Sequence, residues 1–198
     1  MGHSQAEKTQ THDEIVRIAS KRFRELGLDG LSIADLMKEA GLTHGGFYRH
    51  FASREDLLLE ALLAALKDGE APGKNKREKA NVALTFDAVI DGYLSESHRD
   101  EPGSGCAVSA LMSDMGRAGA AARKLYTGQV ERNLRLLTQL LGKADTPMNQ
   151  AEAIVVYSAM IGAVGLARAV SDKRLSKEIL NTVREYLKNG FKQCSRSV

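Results

Sequence analysis

The stretch from Ser32 to Leu57, SIADLMKEAGLTHGGFYRHFASREDLL, restricts the fold more tightly than any other part of the chain. Ser32 followed three positions later by Asp35 is a short-carboxylate form of the capping box, which starts a helix. Ile33, Leu36, Met37 and Ala40 then recur at helical spacing on one side, facing a core. Gly41 stands just past the last turn, where a residue of positive φ ends a helix. Leu42 and Thr43 complete a short turn, and the Thr43 hydroxyl is placed to cap a second helix over 43–51. Helix, short glycine-bearing turn and helix make a helix-turn-helix. Phe47 and Phe51, four apart, anchor the second helix to the first, leaving His44, Gly45, Gly46, Tyr48, Arg49 and His50 facing outward. Ser53 with Asp56 starts the next helix by the same rule, over 53–68.

These outward positions carry groups suited to phosphate and base edges. A mid-helix glycine costs about 1 kcal/mol relative to alanine, so two in one short helix ask for a use. Bare backbone at Gly45 and Gly46 lets a helix N-terminus approach a groove wall, where free N–H groups bind phosphate. Tolerance of a tight turn is the other explanation. Tyr48 is likewise either an outward contact or a half-buried neighbour of Phe47. Between Ala40 and Arg54 there is no acid, while His44, Arg49, His50 and Arg54 are all present. Charge is informative only at this scale. Residues 1–68 hold 9 Lys and Arg against 11 Asp and Glu, although the whole chain carries +3. The pattern fits a small basic docking face for duplex DNA and excludes a general polyanion binder.

The segment LTHGGFYRHFASREDLL resembles the recognition region of the TetR/AcrR-like one-component transcriptional regulators, and the likeness runs from about His12 to Lys67. In that family a Thr or Ser, a Gly-containing first turn, Phe or Leu, Tyr, a variable residue, His or Tyr, and Phe precede a capped helix beginning Ser-Lys. Two departures stand out. His44 occupies a position that is commonly Lys, and Arg54 replaces the usual Lys of the next helix. Arg54 keeps the charge, whereas an imidazole at position 44 makes binding pH-sensitive in this reading. The resemblance implies DNA-binding roles for Ser32, Thr43, His44, Gly45, Gly46, Tyr48, Arg49, His50 and Arg54. Thr43, Tyr48, His50 and Arg54 would set register on phosphates, and Arg49 and His44 would read bases.

The remaining pattern is helical throughout. Ile15, Ile18, Ala19, Phe23 and Leu26 form one apolar stripe that Gly27 ends. The polar stretch Gly69 to Glu78, with Pro72, reads as a linker. Further helices are expected over 82–93, 106–115, 118–141, 149–170 and 176–192, with a break at 100–105 and Pro147 near a helix start. No strand alternation, hairpin signal or internal repeat is visible. The expected architecture is all-α with about nine helices. A three-helix head over 1–68 joins a six-helix-type effector-binding and dimerisation body over 79–198. No run reaches the ~20 consecutive apolar residues of a bilayer span, and the polar first eleven residues show no signal-peptide pattern. Two cysteines, Cys106 and Cys194, do not make a disulfide framework and fit a reducing cytoplasm.

The body yields expectations of a different kind. Ser158, Gly162, Gly165 and Ala169 line one side of the 149–170 helix and permit close helix approach, while Ile179, Val183, Leu187 and Phe191 form a stripe on the last helix. In the family resembled, the last two helices pair with their symmetry mates, so these eight residues are expected at a homodimer interface; packing within one copy is the alternative. The family is also switched by small molecules held in the body. Phe86, Tyr93, Met112, Met115, Tyr126, Met160 and Arg168 are the candidates for a small, largely apolar effector, each also readable as core or structural. Cys106, at a helix start, is a possible thiol sensor of oxidants or electrophiles, or a small buried hydrophobe. Five histidines and two cysteines show no metal-ligand or nucleophile spacing, so no enzyme, metal or cofactor is expected. The reading is a ligand-released dimeric repressor on a palindromic operator. A Cys106-based redox repressor and a dimeric ligand-binding protein without a DNA partner are its rivals.

Overall fold

The computed structural model describes residues 5–68, 84–142 and 147–191. Nine α-helices run through them: α1 Gln5–Leu26, α2 Ile33–Glu39, α3 Arg54–Asp68, α4 Phe86–Tyr93, α5 Glu96–Asp100, α6 Ala107–Met115, α7 Ala120–Leu140, α8 Pro147–Ala169 and α9 Lys173–Phe191. Two 3-10 turns, His44–Arg49 and Pro102–Ser104, complete the described elements, and no strand occurs among the described residues. The expected linker Gly69–Glu78, Val82, Lys192 and Cys194 lie outside them.

The head forms because α1 and α3 each present one apolar side. Ile15, Ile18, Ala19 and Phe23 close against Leu57, Ala61, Leu62, Ala65 and Leu66, all buried. Leu26 ends exposed, because α1 stops there and the chain turns at Gly27 with φ +77°. The α2 cap is as expected: the Asp35 N–H donates to Ser32 Oγ at 3.1 Å. At its other end Gly41, at φ +71°, completes a Schellman motif, with Gly41 N–H on the Lys38 carbonyl and Leu42 N–H on that of Met37. Ser53 caps α3 through the Asp56 N–H at 3.1 Å.

Head and body share one apolar core. The α1 helix packs on α6 and on the Pro102–Ser104 turn, and α3 packs on α6 and α7. A Cβ on Gly103 would meet Glu25 Oε1 at 2.4 Å, so a side chain there would push the Glu25 carboxylate from its place beneath α1.

Two body elements differ from expectation. The break at 100–105 is preceded by α5, started by Ser95, whose hydroxyl accepts from the His98 N–H, and this short helix buries His98. The last helix begins at Lys173 and not at Ser176, because Asp172 Oδ1 accepts the N–H groups of Arg174 and Leu175. Ser176 is instead buried, and its hydroxyl donates to the Ala167 carbonyl. The expectation of no span-like segment is also corrected. Gln150–Ala169 is long and apolar enough by length and composition to cross a membrane, with a mean hydropathy of 1.5. Its inner side is core, through Ala153, Val156, Met160, Val164 and Ala167, while Ile154, Val155 and Leu166 are exposed.

Candidate nucleic-acid interface

The recognition segment is a 3-10 helix and not the expected α-helix. Gly46 N–H bonds the Thr43 carbonyl at 2.9 Å, and the Thr43 hydroxyl makes no cap bond, so its expected capping role is not found. Phe47 and Phe51 stack at 5.3 Å between centroids and are both buried, as their spacing predicts, and Leu36 and Met37 of α2 are buried in the same core. This anchorage turns the neighbouring side chains out. Thr43, His44, Gly45, Tyr48 and Arg49 are exposed, and Tyr48 is 67% exposed while its ring leans edge-on against Phe47.

Gly45 has nothing within 4 Å of the position a Cβ would take, and a Cβ on Gly46 would make only ordinary contacts with Met37 and Thr43. Neither glycine has the positive φ found at Gly27, Gly41 and Gly142. Packing and backbone conformation within the chain therefore leave both glycines unexplained.

Two of the expected phosphate contacts have neighbours inside the head. His50 is half-buried: its ring lies 6.1 Å from that of His12, and its Nδ1 is buried without a partner. Burial first, then the charges of His12, Lys8 and Arg49, lower its pKa, so His50 is neutral at pH 7. His12 in turn stacks on Phe51 at 4.5 Å and bonds Glu60 Oε2 at 2.6 Å. Arg54 stays exposed, with 45% of its side chain free, yet it is bonded within the head, its Nη2 donating to the Leu28 carbonyl at 2.9 Å and the Leu31 carbonyl at 3.4 Å. Ser32 is exposed, with its hydroxyl engaged on Asp35.

The body residues divide in the same way. Met112 is 51% exposed on α6, whereas Tyr93, Met115 and Met160 are core. Phe86 leans on Phe191 at 6.2 Å. Arg168 is not a free anchor: it donates to the carbonyls of His98 (2.7 Å) and Arg99 (3.0 Å), tying α8 to α5, and burial lowers its pKa. The Tyr126 hydroxyl donates to the Val108 carbonyl at 2.9 Å, and burial pushes its pKa up to about 12. Tyr157, missed in the sequence because it sits among alanines and valines, accepts from Asn133 Nδ2 at 2.6 Å. Burial first, then the Cys106 thiol, raises the phenols of Tyr93 and Tyr157 far above their ordinary value. Cys106 is a free, buried thiol. A separate cavity of about 380 Å³ lies where head meets body, lined by Leu28, Asp29, Arg54, Glu55, Asp114 and Arg117 among others.

Of the expected interface residues, Ser158, Gly165 and Ala169 are exposed and Gly162 is half-buried. Leu187 is buried in its own monomer and is core, while Ile179, Val183 and Phe191 are partly covered by the same core. The outer side of α9 is instead carried by Leu175 and Tyr186. Periodicity missed this because the stripe on α9 extends around more than one side.

Residues 15–61 match the family described as bacterial regulatory proteins, tetR family. The chain is 28% identical over 130 residues to the HTH-type transcriptional repressor KstR2 of Rhodococcus jostii (strain RHA1), a match over 66% of this chain that spans 62% of that protein. Among solved structures, a TetR-family regulator from Cytophaga hutchinsonii superposes with a TM-score of 0.73 at 18% identity, covering 96% of this chain and 98% of that one. A regulator from Saccharomonospora viridis in complex with choline gives 0.70 at 14% identity, covering 91% and 96%. These structural likenesses extend the shared fold over the body, while the sequence match to the tetR family covers the head at residues 15–61.

Proposed function

We propose that this protein is a dimeric transcriptional repressor that holds a two-fold operator through paired recognition segments and releases it when the body binds a small molecule. The observation that carries the reading is the recognition segment itself. Its aromatic pair is buried, Tyr48 and Arg49 project outward, and two glycines bare a backbone that nothing inside the chain requires to be bare. In this reading Arg49 and His44 read bases, and Thr43, Tyr48 and His50 donate to phosphates. A DNA partner puts the protein in the cytoplasm.

The exposed apolar side of α8, with Leu175 and Tyr186 of α9, supports pairing with a second copy. A two-fold pair sets the two recognition segments about one DNA turn, ~34 Å, apart. In the body, the protonated phenols of Tyr93 and Tyr157 beside Cys106 suit a largely apolar effector carrying a hydrogen-bond acceptor, the Tyr126 hydroxyl being already donated to the Val108 carbonyl. Effector and DNA then weaken each other's binding by the same factor. Binding to a labelled duplex from the region upstream of the gene tests the core of this reading. Wild type should bind with a steep salt dependence, and the Tyr48→Ala, Arg49→Ala double variant should lose at least about tenfold in affinity. Equal binding by the double variant would remove the DNA-reading role of this segment.

A further inference from the structure

Both backbone groups of Leu28 are held by side chains from different parts of the molecule. Its N–H donates to Asp114 Oδ1 of α6 at 3.4 Å, and its carbonyl accepts from Arg54 Nη2 of α3 at 2.9 Å. The same Nη2 reaches the Leu31 carbonyl at 3.4 Å, and Nη1 lies 3.8 Å from Asp29 Oδ1. These acceptors belong to one loop, Gly27 to Leu31, which carries the chain from α1 into the first helix of the helix-turn-helix. Its leucines, Leu28 and Leu31, are buried beneath it. The loop makes its turn at Gly27, where a Cβ would meet Asp114 Oδ1 at 3.3 Å.

We propose that Arg54 is a positioning residue, clasping the Gly27–Leu31 loop so that α2 and the recognition segment keep their angle to α1 and α3, and that it makes no phosphate contact of its own. The inference rests on the DNA-binding reading above. A planar guanidinium directs several donors in fixed directions, which lets one side chain bridge acceptors at 28, 29 and 31. An ammonium is a compact point charge and holds such a set poorly. Arg54 in the clasp and Lys at the same position are therefore not equivalent, although both carry +1. A phosphate contact, in contrast, needs chiefly the charge.

Arg54→Lys and Arg54→Gln separate the two roles. Each is compared with wild type for binding to the labelled upstream duplex over a range of salt, and for amide hydrogen exchange in the free protein. For the clasp, both variants lose about tenfold in affinity with an unchanged salt slope. Exchange then rises in 27–31 and 44–51 and stays as in wild type in 150–169. Arg54→Lys binding like wild type, with Arg54→Gln lowering the slope by about 0.9, overturns the proposal in favour of a phosphate contact. If wild type binds no duplex, the DNA-binding reading fails, and hydrogen exchange alone decides the clasp: unaltered protection of 27–31 in Arg54→Lys overturns it. Should Arg54→Gln not fold, Arg54→Lys, which keeps stem and charge, decides between clasp and phosphate contact.

Discussion

The backbone N–H of Cys106 donates to Nε2 of His98 at 3.0 Å, and this bond fixes the state of a buried imidazole. Since Nε2 accepts, the ring proton sits on Nδ1, which lies 2.6 Å from the Tyr93 carbonyl and donates to it. The ring therefore joins the end of α4 to the start of α6 across the Pro102–Ser104 turn. A Cβ on Gly105 would meet its Cδ2 at 2.8 Å, so the turn closes tightly over the ring.

A pH dependence of stability follows. Burial lowers the His98 pKa from 6.5 to about 4, because the charged form would lose hydration and the Nε2 acceptor. Between those values the unfolded chain binds the proton and the folded one does not. Stability is thus fully present above about pH 6.5 and falls as pH drops toward 4, by on the order of 3 kcal/mol. Urea unfolding at stepped pH checks this, with His98→Gln as comparison; a wild-type slope equal to that of the variant would show that His98 does not titrate in this way.

The contrast between Gly41 and Gly45 separates a fold requirement from a binding requirement. Gly41 has φ +71° with open space around it, so Gly41→Ala should cost about 1 kcal/mol through backbone strain alone. Gly45 has neither positive φ nor crowding, so Gly45→Ala should leave the melting temperature unchanged or raise it. Its methyl group would nevertheless stand in the path of the groove wall, and duplex affinity should fall. Wild-type affinity in Gly45→Ala would show that this residue faces no DNA.

Much of the head is legible in the sequence because its signals are local. Ser32, Gly41 and Ser53 act within four residues of themselves, and the Phe47–Phe51 spacing settles what is buried. The role of Arg54 is not legible in this way, because its partners, at 28 and 31, lie more than twenty residues away, and charge alone does not distinguish a carbonyl clasp from a phosphate contact. His98 escapes sequence reasoning for a similar reason: its role depends on Cys106 and Tyr93 meeting around it. Periodicity places a residue on a side of a helix but does not say what covers that side, so Leu187 is core where an interface was expected and Tyr186 is exposed in its place.

The Cys106 thiol is 2% exposed at the start of α6 and packed behind Tyr93 and Tyr157, so its reaction with reagents requires opening of the body. In a Cys194→Ser background, iodoacetamide should label Cys106 orders of magnitude more slowly in buffer than in denaturant. Rapid labelling of the folded protein would restore the thiol-sensing alternative.

The outer side of α8 makes the last prediction. Val155 and Leu166 are 60% and 59% exposed, with Ser158, Gly165 and Ala169 between and beyond them at helical spacing, so small residues lie flanked by apolar ones. Gly162 and Gly165 have nothing within 4 Å of a built Cβ, so a side chain there disturbs no contact of the monomer. Replacing a helical glycine should itself favour the helix by about 1 kcal/mol. Gly165→Leu should therefore fold with undiminished helicity yet keep a second helix at arm's length. Light scattering after size exclusion should then find a monomer in place of a dimer. Duplex affinity should drop steeply, since one head alone contacts a single half-site. A Gly165→Leu protein that stays dimeric would place the contact between copies on another surface.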